Sequence, residues 1–486
     1  MRVSLIYPTF DNWEAWPPLT LACLASFLRQ HGHQVSIIDR NLLLRKRGSL
    51  PRADQEVARL LLQMAPAVVG ITATTPLAVD AFHCARISKQ TVPSAKVVLG
   101  GIHASIVPEL CFEQCDSLDY VAKGEGEFTL KDIADGKEAH EIAGLYYRDG
   151  GQIRRTSPRD FQRDLDAFPF PARDLLDMKM YLRSSPLVIR GVESRATHLF
   201  SGIGCTANCH FCAWPGMYGR KIRLHSADHV FREIRYLVDD YHADGLYLAE
   251  EMFFCDKKRV ADLCALLIDS GYNRRVRLCV QLRADVVDEE KLQLLKSAGF
   301  IQIEYGIESG SQRVLDIMNK RTTVEQNRLA IALTRKTGIR ALANIIVGIP
   351  GETRADILET EQFLRETKPD YVAVNRFVPF PGSHFFNVLR DNGRVSHNWT
   401  HYWCTDIETN YSNVDDQDFL HLFLSMRARW QVVNALNSMK WNAGTKPSYI
   451  LKCPYYLLKD PMRFLFRQIG RKIRKSGVRI GNGRTY

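Results

Sequence analysis

Three cysteines within eight residues constrain this chain more than any other feature. Cys205, Cys209 and Cys212 stand in the run Gly204-Cys205-Thr206-Ala207-Asn208-Cys209-His210-Phe211-Cys212, just past an apolar segment centred on Leu199 that reads as a strand. Thiolates are the preferred ligands of iron–sulfur clusters, which ordinarily take four. Three cysteines at this spacing hold three irons and leave the fourth open to a substrate or cofactor. A structural zinc ion needs a fourth cysteine or histidine at matched spacing, and His210, inside the loop, is poorly placed for that. A cluster is the expected occupant; zinc, or no metal, are the alternatives.

The segments before this loop alternate short apolar strands with helical stretches. Strands are expected at Val3–Tyr7, Gln34–Asp39, Ala67–Thr72, Lys96–Gly100 and Tyr120–Ala122, and helices near Leu19–His31, Asp54–Met64 and Ala78–Lys89. Continuous apolar strands separated by crossover helices indicate an α/β, doubly wound parallel sheet covered on both faces. Ile142–Tyr147 and Gln152–Arg155, joined across Arg148-Asp149-Gly150-Gly151, read as a closing hairpin. The Pro-punctuated connector Asp166-Ala167-Phe168-Pro169-Phe170-Pro171 follows; its prolines favour extended backbone, as in a linker strapped over a surface.

A second βα series has strands centred near Leu199, Leu246, Val280, Ile303, Ile345 and Val372. Ser226 is a good cap for the helix after the cysteines, and another helix runs from its cap Asp288 to a stop at Gly299. Six such units make an incomplete parallel barrel with its site at the C-terminal ends of the strands. After Phe385 the pattern turns mainly helical and rich in Trp, Tyr and Phe. The expected division is a doubly wound domain over 1–160, a linker over 161–190, a partial barrel over 191–385, and a helical region with a basic tail over 386–486.

Composition narrows the function. No run reaches the roughly 18 apolar residues of a membrane-spanning helix, and MRVSLIYPTFDNW lacks the apolar core of a signal peptide, so a cytoplasmic location is expected. The cysteines outside the loop are scattered and expected to be reduced and structural, including Cys111 and Cys115, which share a helix face without a further ligand nearby. The net charge of +11 is concentrated at one end: Pro461–Tyr486 carries eight basic residues and no acidic one. The body is nearly neutral, which argues against general nucleic-acid affinity.

With these motifs in place, the chain resembles the radical SAM (S-adenosylmethionine) superfamily. An aromatic before the third cysteine, as in Phe211-Cys212, is usual there. Strand ends along the barrel extend the likeness: Ala249-Glu250-Glu251-Met252-Phe253-Phe254, Arg283, Gly306-Ile307-Glu308-Ser309-Gly310 with Met318-Asn319-Lys320 after it, Val347-Gly348-Ile349-Pro350-Gly351-Glu352-Thr353, and Pro379-Phe380-Pro381-Gly382. The resemblance implies that the open iron of a [4Fe–4S] cluster chelates the amine and carboxylate of SAM, whose reductive cleavage yields a 5′-deoxyadenosyl radical. It further implies SAM contacts from Phe211, from Glu250 or Glu251 to the ammonium, from Arg283 to the carboxylate, and from Glu308 to the ribose. Strand alternation lets only one of Glu250 and Glu251 point inward. Taken singly, Glu250, Glu251, Arg283 and Glu308 also suit surface salt bridging or barrel-rim packing.

The first domain resembles the cobalamin-binding domain that precedes the barrel in one subgroup of that superfamily. The matching pieces are Pro17-Pro18-Leu19, Gly32-His33-Gln34-Val35, Gly70–Pro76, Gly100–Ala104 and Lys123–Glu127. The implied cobalamin contacts are Thr72, Ala73, Thr74, Gly100, Gly101, His103, Gly124 and Glu125, most of them after strands, where doubly wound sheets bind ligands. An axial-histidine motif, D-x-H-x-x-G, occurs only at Asp240–Gly245, inside the barrel, where it reads as coincidence. A domain of this shape that binds no cobalamin is the alternative.

The expected function is methylation of an unactivated carbon, or a phosphinate-like phosphorus, of a small metabolite. A radical cyclase, dehydratase, epimerase or other rearrangement enzyme that transfers no methyl is the second possibility, and a non-catalytic metal-binding protein the third. An electron donor such as flavodoxin or ferredoxin is implied, and no nucleic-acid partner. The tail segment Arg463–Lys475 mixes bulky apolar and basic residues; it suits an anionic membrane surface, a solvated terminal helix, or a helix docked on the protein.

Overall fold

A computed structural model of the chain describes residues 1–9, 16–399, 402 and 409–443. The basic tail, Cys404 and Cys453 lie outside the described residues. The N-terminal sheet contains β1 (Arg2–Tyr7), β2 (Gln34–Asp39), β3 (Val68–Thr72), β4 (Lys96–Gly100), β5 (Tyr120–Ala122), β6 (Leu145–Asp149) and β7 (Gln152–Arg155). Its order is β2-β1-β3-β4-β5-β6-β7, parallel through β5 and antiparallel beyond. Strand order reverses at β1, which pairs with both β2 and β3, so a crevice opens past Tyr7 and Thr72. Val3, Leu5, Ile6, Val69, Ile71, Val97 and Leu99 are buried because helices cover both faces.

One helix here escaped the periodicity argument. Arg40–Arg47 is short and basic, and has little apolar face to read. It forms because the Asp39 carboxylate caps the Leu42 N–H at 3.0 Å and Gly48 closes it in the left-handed region. Its first residue, Arg40, is buried against Asp54 and Asp80. The neighbouring helix starts at Leu50 rather than Asp54, with Pro51 in its first turn.

The second sheet has six parallel strands: β8 (Ala196–Phe200), β9 (Gly245–Ala249), β10 (Arg277–Leu282), β11 (Phe300–Glu308), β12 (Arg340–Val347) and β13 (Tyr371–Arg376). They run in sequence order from β8 to β13 with two free ends, an incomplete barrel as expected. Leu199, Leu246, Val280, Ile303 and Ile345 pack outward against the helices, leaving the alternate residues to the lumen. The expected caps are present: Ser226 accepts from the His229 N–H at 3.1 Å and Asp288 from the Lys291 N–H at 2.9 Å.

The exposed edge of β13 is blunted by the long helix Asp416–Ala443. Asn434 takes the place of a further strand there, accepting from the Val372 N–H at 2.8 Å and donating to the Val372 carbonyl at 2.7 Å. Between the sheets, the linker turns through Leu165–Ala167, Arg173–Leu175 and Met178–Tyr181. It is anchored on both sides: Ala172 N–H donates to the Ala22 carbonyl at 2.9 Å, and Arg173 forms a buried ion pair with Glu233 at 2.6 Å. No described helix is long and apolar enough to cross a membrane.

Candidate active site

The C-terminal ends of the two sheets face a common cavity of about 520 Å³. Its N-terminal wall includes Thr72, Ala73, Thr74, Gly100, Gly101, Gly124 and Glu125; the barrel contributes Gly202, Ile203, Trp214, Tyr218, Ala249 and Glu251. The two adjacent glycines have different jobs. At Gly101 (φ +91°) an added Cβ would lie 2.7 Å from the Ala73 carbonyl oxygen and 2.8 Å from Thr72 Oγ1, so only glycine lets the β4 loop close on the β3 loop. At Gly100 a Cβ would meet nothing within 4 Å. That position faces the open cavity, as a surface against a broad ligand requires.

Two of the expected cobalamin residues are otherwise engaged. His103 is not among the cavity's lining residues. It is the second residue of the short helix Ile102–Ile106 and turns inward, 1% exposed, with Nδ1 3.2 Å from Thr75 Oγ1 and its ring 4.8 Å from that of Trp399. Burial pulls its pKa down to about 4, so it is a neutral core histidine. Glu125 does line the cavity, but its carboxylate pairs with Arg223 at 2.5 Å and accepts from the Gln162 N–H at 3.1 Å, tying linker to cavity rim. Glu127, two residues on, ends the matching segment Lys123–Glu127 but is not among the expected cobalamin contacts. It lines the same cavity, and burial, with the nearby Glu125 charge, raises its carboxyl to about 7.

The cysteine loop leaves the cavity wall through a short antiparallel pair, Gly202–Ile203 with Arg223–Leu224. All three cysteines are half-buried free thiols. The loop is docked onto the segment after β11: His210 N–H donates to the Met318 carbonyl at 2.8 Å, and Asn319 Nδ2 donates to the Asn208 carbonyl at 2.8 Å. This contact gives the Met318-Asn319-Lys320 motif a physical task. Burial raises the Cys209 thiol, with Lys320 and Arg283 pulling the other way, and burial pushes Cys212 up to about 11. Those two cations suit thiolates bound to iron. Among the described residues, the only triad of ligating groups converging within 4.8 Å is Asp166, His225 and His229.

Both paired acids lie past the end of β9 at Ala249, and their hydrogen bonds separate them. Glu250 is 4% exposed and turns away, accepting from the Ser201 hydroxyl at 2.8 Å and from Arg259 Nη2 at 3.0 Å. Glu251 lines the cavity and accepts from the Gly204 N–H at 3.0 Å. Arg283 donates to both Asp285 oxygens, at 2.9 and 2.8 Å, and to the Lys320 carbonyl at 3.1 Å. Glu308 sits at φ +63° where the β11–β12 register shifts. This strained backbone turns its carboxylate onto Lys320 Nζ at 2.9 Å. Lys320 Nζ in turn lies 5.8 Å from the Phe211 ring centre. Phe211, Arg283, Lys320 and Glu308 thus gather beside the cysteines, Glu251 faces the cavity, and Glu250 is a structural brace.

The state of Glu251 is measurable. Burial holds its carboxyl up at about 7 against an ordinary 4.5. A raised carboxyl pKa means the folded protein keeps a proton the unfolded chain has lost, so stability falls as pH rises from 4.5 to about 7. Glu251→Gln is expected to stabilise the cofactor-free protein at pH 8 by on the order of 2 kcal/mol after allowance for partial exposure, seen as a higher thermal midpoint, and to leave that midpoint unchanged at pH 4. Parallel melting curves at the two pH values check this; an equal shift at both would place the carboxyl in solvent.

Comparison with known proteins extends these findings. Residues 199–364 match the radical SAM superfamily and residues 14–134 match the B12 binding domain. An uncharacterized methyltransferase of Pyrococcus horikoshii is 32% identical over 420 residues, 84% of this chain and 87% of that protein. The anaerobic magnesium-protoporphyrin IX monomethyl ester cyclase of Cereibacter sphaeroides is 27% identical across 97% of this chain and 77% of its own length. Among solved structures, the cobalamin-dependent S-adenosylmethionine radical enzyme OxsB, with aqua-cobalamin and S-adenosylmethionine bound, has a TM-score of 0.69 at 17% identity. The match covers 99% of this chain and 82% of that one, a shared fold.

Proposed function

This chain belongs to the radical SAM superfamily, in the subgroup with an N-terminal B12-binding domain, and from that membership we propose that it methylates an unactivated carbon, or a phosphinate-like phosphorus, of a small-molecule substrate. The observation that carries the reading is the shared cavity: strand ends of the B12-binding fold and the segments flanking the cysteine loop line one space. A radical source and a methyl donor held on opposite walls would meet the same substrate there. When bound, the [4Fe–4S] cluster with SAM supplies a deoxyadenosyl radical, and cobalamin supplies a methyl group.

The chain's own residues would divide the work as follows. Cys205, Cys209 and Cys212 hold the cluster, with Lys320 and Arg283 offsetting its charge. Phe211, Glu308 and Arg283 border the SAM position, and Glu251 offers an acceptor from the cavity side. Thr72, Ala73, Thr74, Gly100, Gly101 and Gly124 form a floor of small residues for the corrin, and Glu125 holds that floor to the linker. Trp214 and Ile203 present apolar surface that excludes water from the radical. We assign cobalamin handling to residues 1–160, radical chemistry to 191–385, the connection to 161–190 and substrate choice to 386–486. A low-potential donor such as flavodoxin or ferredoxin would reduce the cluster, and the basic tail would rest on anionic membrane.

Isotope labelling tests the proposal. With methyl-deuterated SAM, each turnover should yield one 5′-deoxyadenosine, one S-adenosylhomocysteine and a product carrying the labelled methyl group. The likeness to a cyclase across nearly the whole chain favours one other reading, radical ring closure without methyl transfer. That reading predicts 5′-deoxyadenosine alone and no mass gain, which would displace methylation.

A further inference from the structure

We propose that Asp166, His225 and His229 form a second metal site, for a single divalent ion of the zinc class, on the cavity wall away from the cysteine loop. Asp166 lies in the linker turn Leu165–Ala167; His225 and His229 flank the start of the helix Ala227–Asp239, four residues apart and on one side. The Asp166 Oδ1 atom is 2.9 Å from His225 Nδ1 and 3.5 Å from His229 Nδ1. Two ligands of one tetrahedral zinc, each at roughly 2.0–2.1 Å, stand about 3.3 Å apart. The observed separations bracket that value.

The second observation concerns His229. Its side chain is only 6% exposed, and its Nδ1 makes no well-formed hydrogen bond although it is aimed at the Asp166 carboxylate. A buried ring nitrogen without a partner is costly unless something fills the gap. Hydrogen bonding alone accounts for the other two groups: Asp166 Oδ1 accepts from the Ser226 N–H at 3.1 Å and from His225 Nδ1–H at 2.9 Å. It does not account for His229. The Phe170 ring, edge-on at 4.9 Å, fixes the His229 plane. The two imidazoles stack with centres 4.2 Å apart, 19° from parallel, and both Nδ1 atoms face the carboxylate. His225 is the more accessible ring, and its terminal torsion is soft, so a modest turn brings its lone pair onto a common ion.

Both histidines line the cavity, so the remaining coordination position of a three-ligand site would open towards it. An ion there would pin the linker to the barrel helix and present a Lewis-acidic position to a group in the cavity. It is independent of the methylation proposal, since none of the three residues takes part in holding the cluster.

The test uses the full-length protein with its cluster reconstituted, dialysed against buffered Zn²⁺ and analysed for both metals. One zinc per chain is expected beyond the cluster iron. His229→Gln and His225→Gln should each weaken zinc binding by at least about 100-fold, the upper range seen for loss of even an outer-sphere partner, with iron content unchanged and with loss of the rise in melting temperature that Zn²⁺ gives the unmodified protein. X-ray absorption at the zinc edge of the unmodified protein should show nitrogen and oxygen neighbours at about 2.0–2.1 Å. No zinc above background, zinc retained by both variants, or a sulfur-dominated zinc shell each overturns the site and leaves a hydrogen-bonded hook.

Discussion

Cys209→Ala is expected to remove the cluster outright. Anaerobically reconstituted wild type should hold about four irons and give the paramagnetic signal of a reduced [4Fe–4S] centre; the variant should lose both, and with them all SAM cleavage. The loss is total because two thiolates cannot hold the cube with one iron open. The fold should survive, since the loop remains tied through His210 to Met318 and through Asn319 to the Asn208 carbonyl. Cys255→Ala, at an exposed position outside the loop, is the control and should keep both iron and activity. SAM cleavage by the Cys209→Ala protein at the wild-type rate would remove the loop from the chemistry.

The second large effect separates cavity from scaffold at adjacent glycines. Gly100→Leu adds a side chain where a Cβ meets no protein atom within 4 Å. It should leave the melting temperature and iron content near wild type. Its branches would occupy the space against the floor, so cobalamin affinity should fall at least 100-fold, about 2.7 kcal/mol. Gly101→Ala should do the reverse of a clean block. Its Cβ falls 2.7 Å from a backbone oxygen at φ +91°, so it should cost on the order of 1–3 kcal/mol of stability before any ligand is added. Equilibrium binding of hydroxocobalamin, followed by its absorption, and thermal melting of the two variants give both readouts. Undiminished corrinoid binding by Gly100→Leu would mean that the corrin does not lie on β4.

The expected strands coincide with the observed ones to within a few residues because each is a short apolar run ended by a turn, a pattern local in sequence. Leu199, Leu246, Val280, Ile303 and Ile345 all prove to be core positions of the barrel. The cysteine loop was equally legible, since three cysteines within eight residues owe their closeness to the chain itself. Contacts between distant segments were not. That Glu251 rather than Glu250 faces the cavity is settled in the turn after β9, where Arg259 and Ser201 capture the Glu250 carboxylate. His103 sits in a motif that points to a ligand, yet Thr75 and Trp399 draw it into the core. The helix Arg40–Arg47 lacks an apolar stripe and exists through a cap and buried ion pairs. Asp166 and His225 are 59 residues apart and meet only because the linker folds back across the start of a barrel helix. Sequence alone determined the elements and the close spacing of the three cysteines, where the governing interactions are local. Tertiary structure decided which polar side chains face the cavity, because that depends on which buried charge finds a partner elsewhere in the chain.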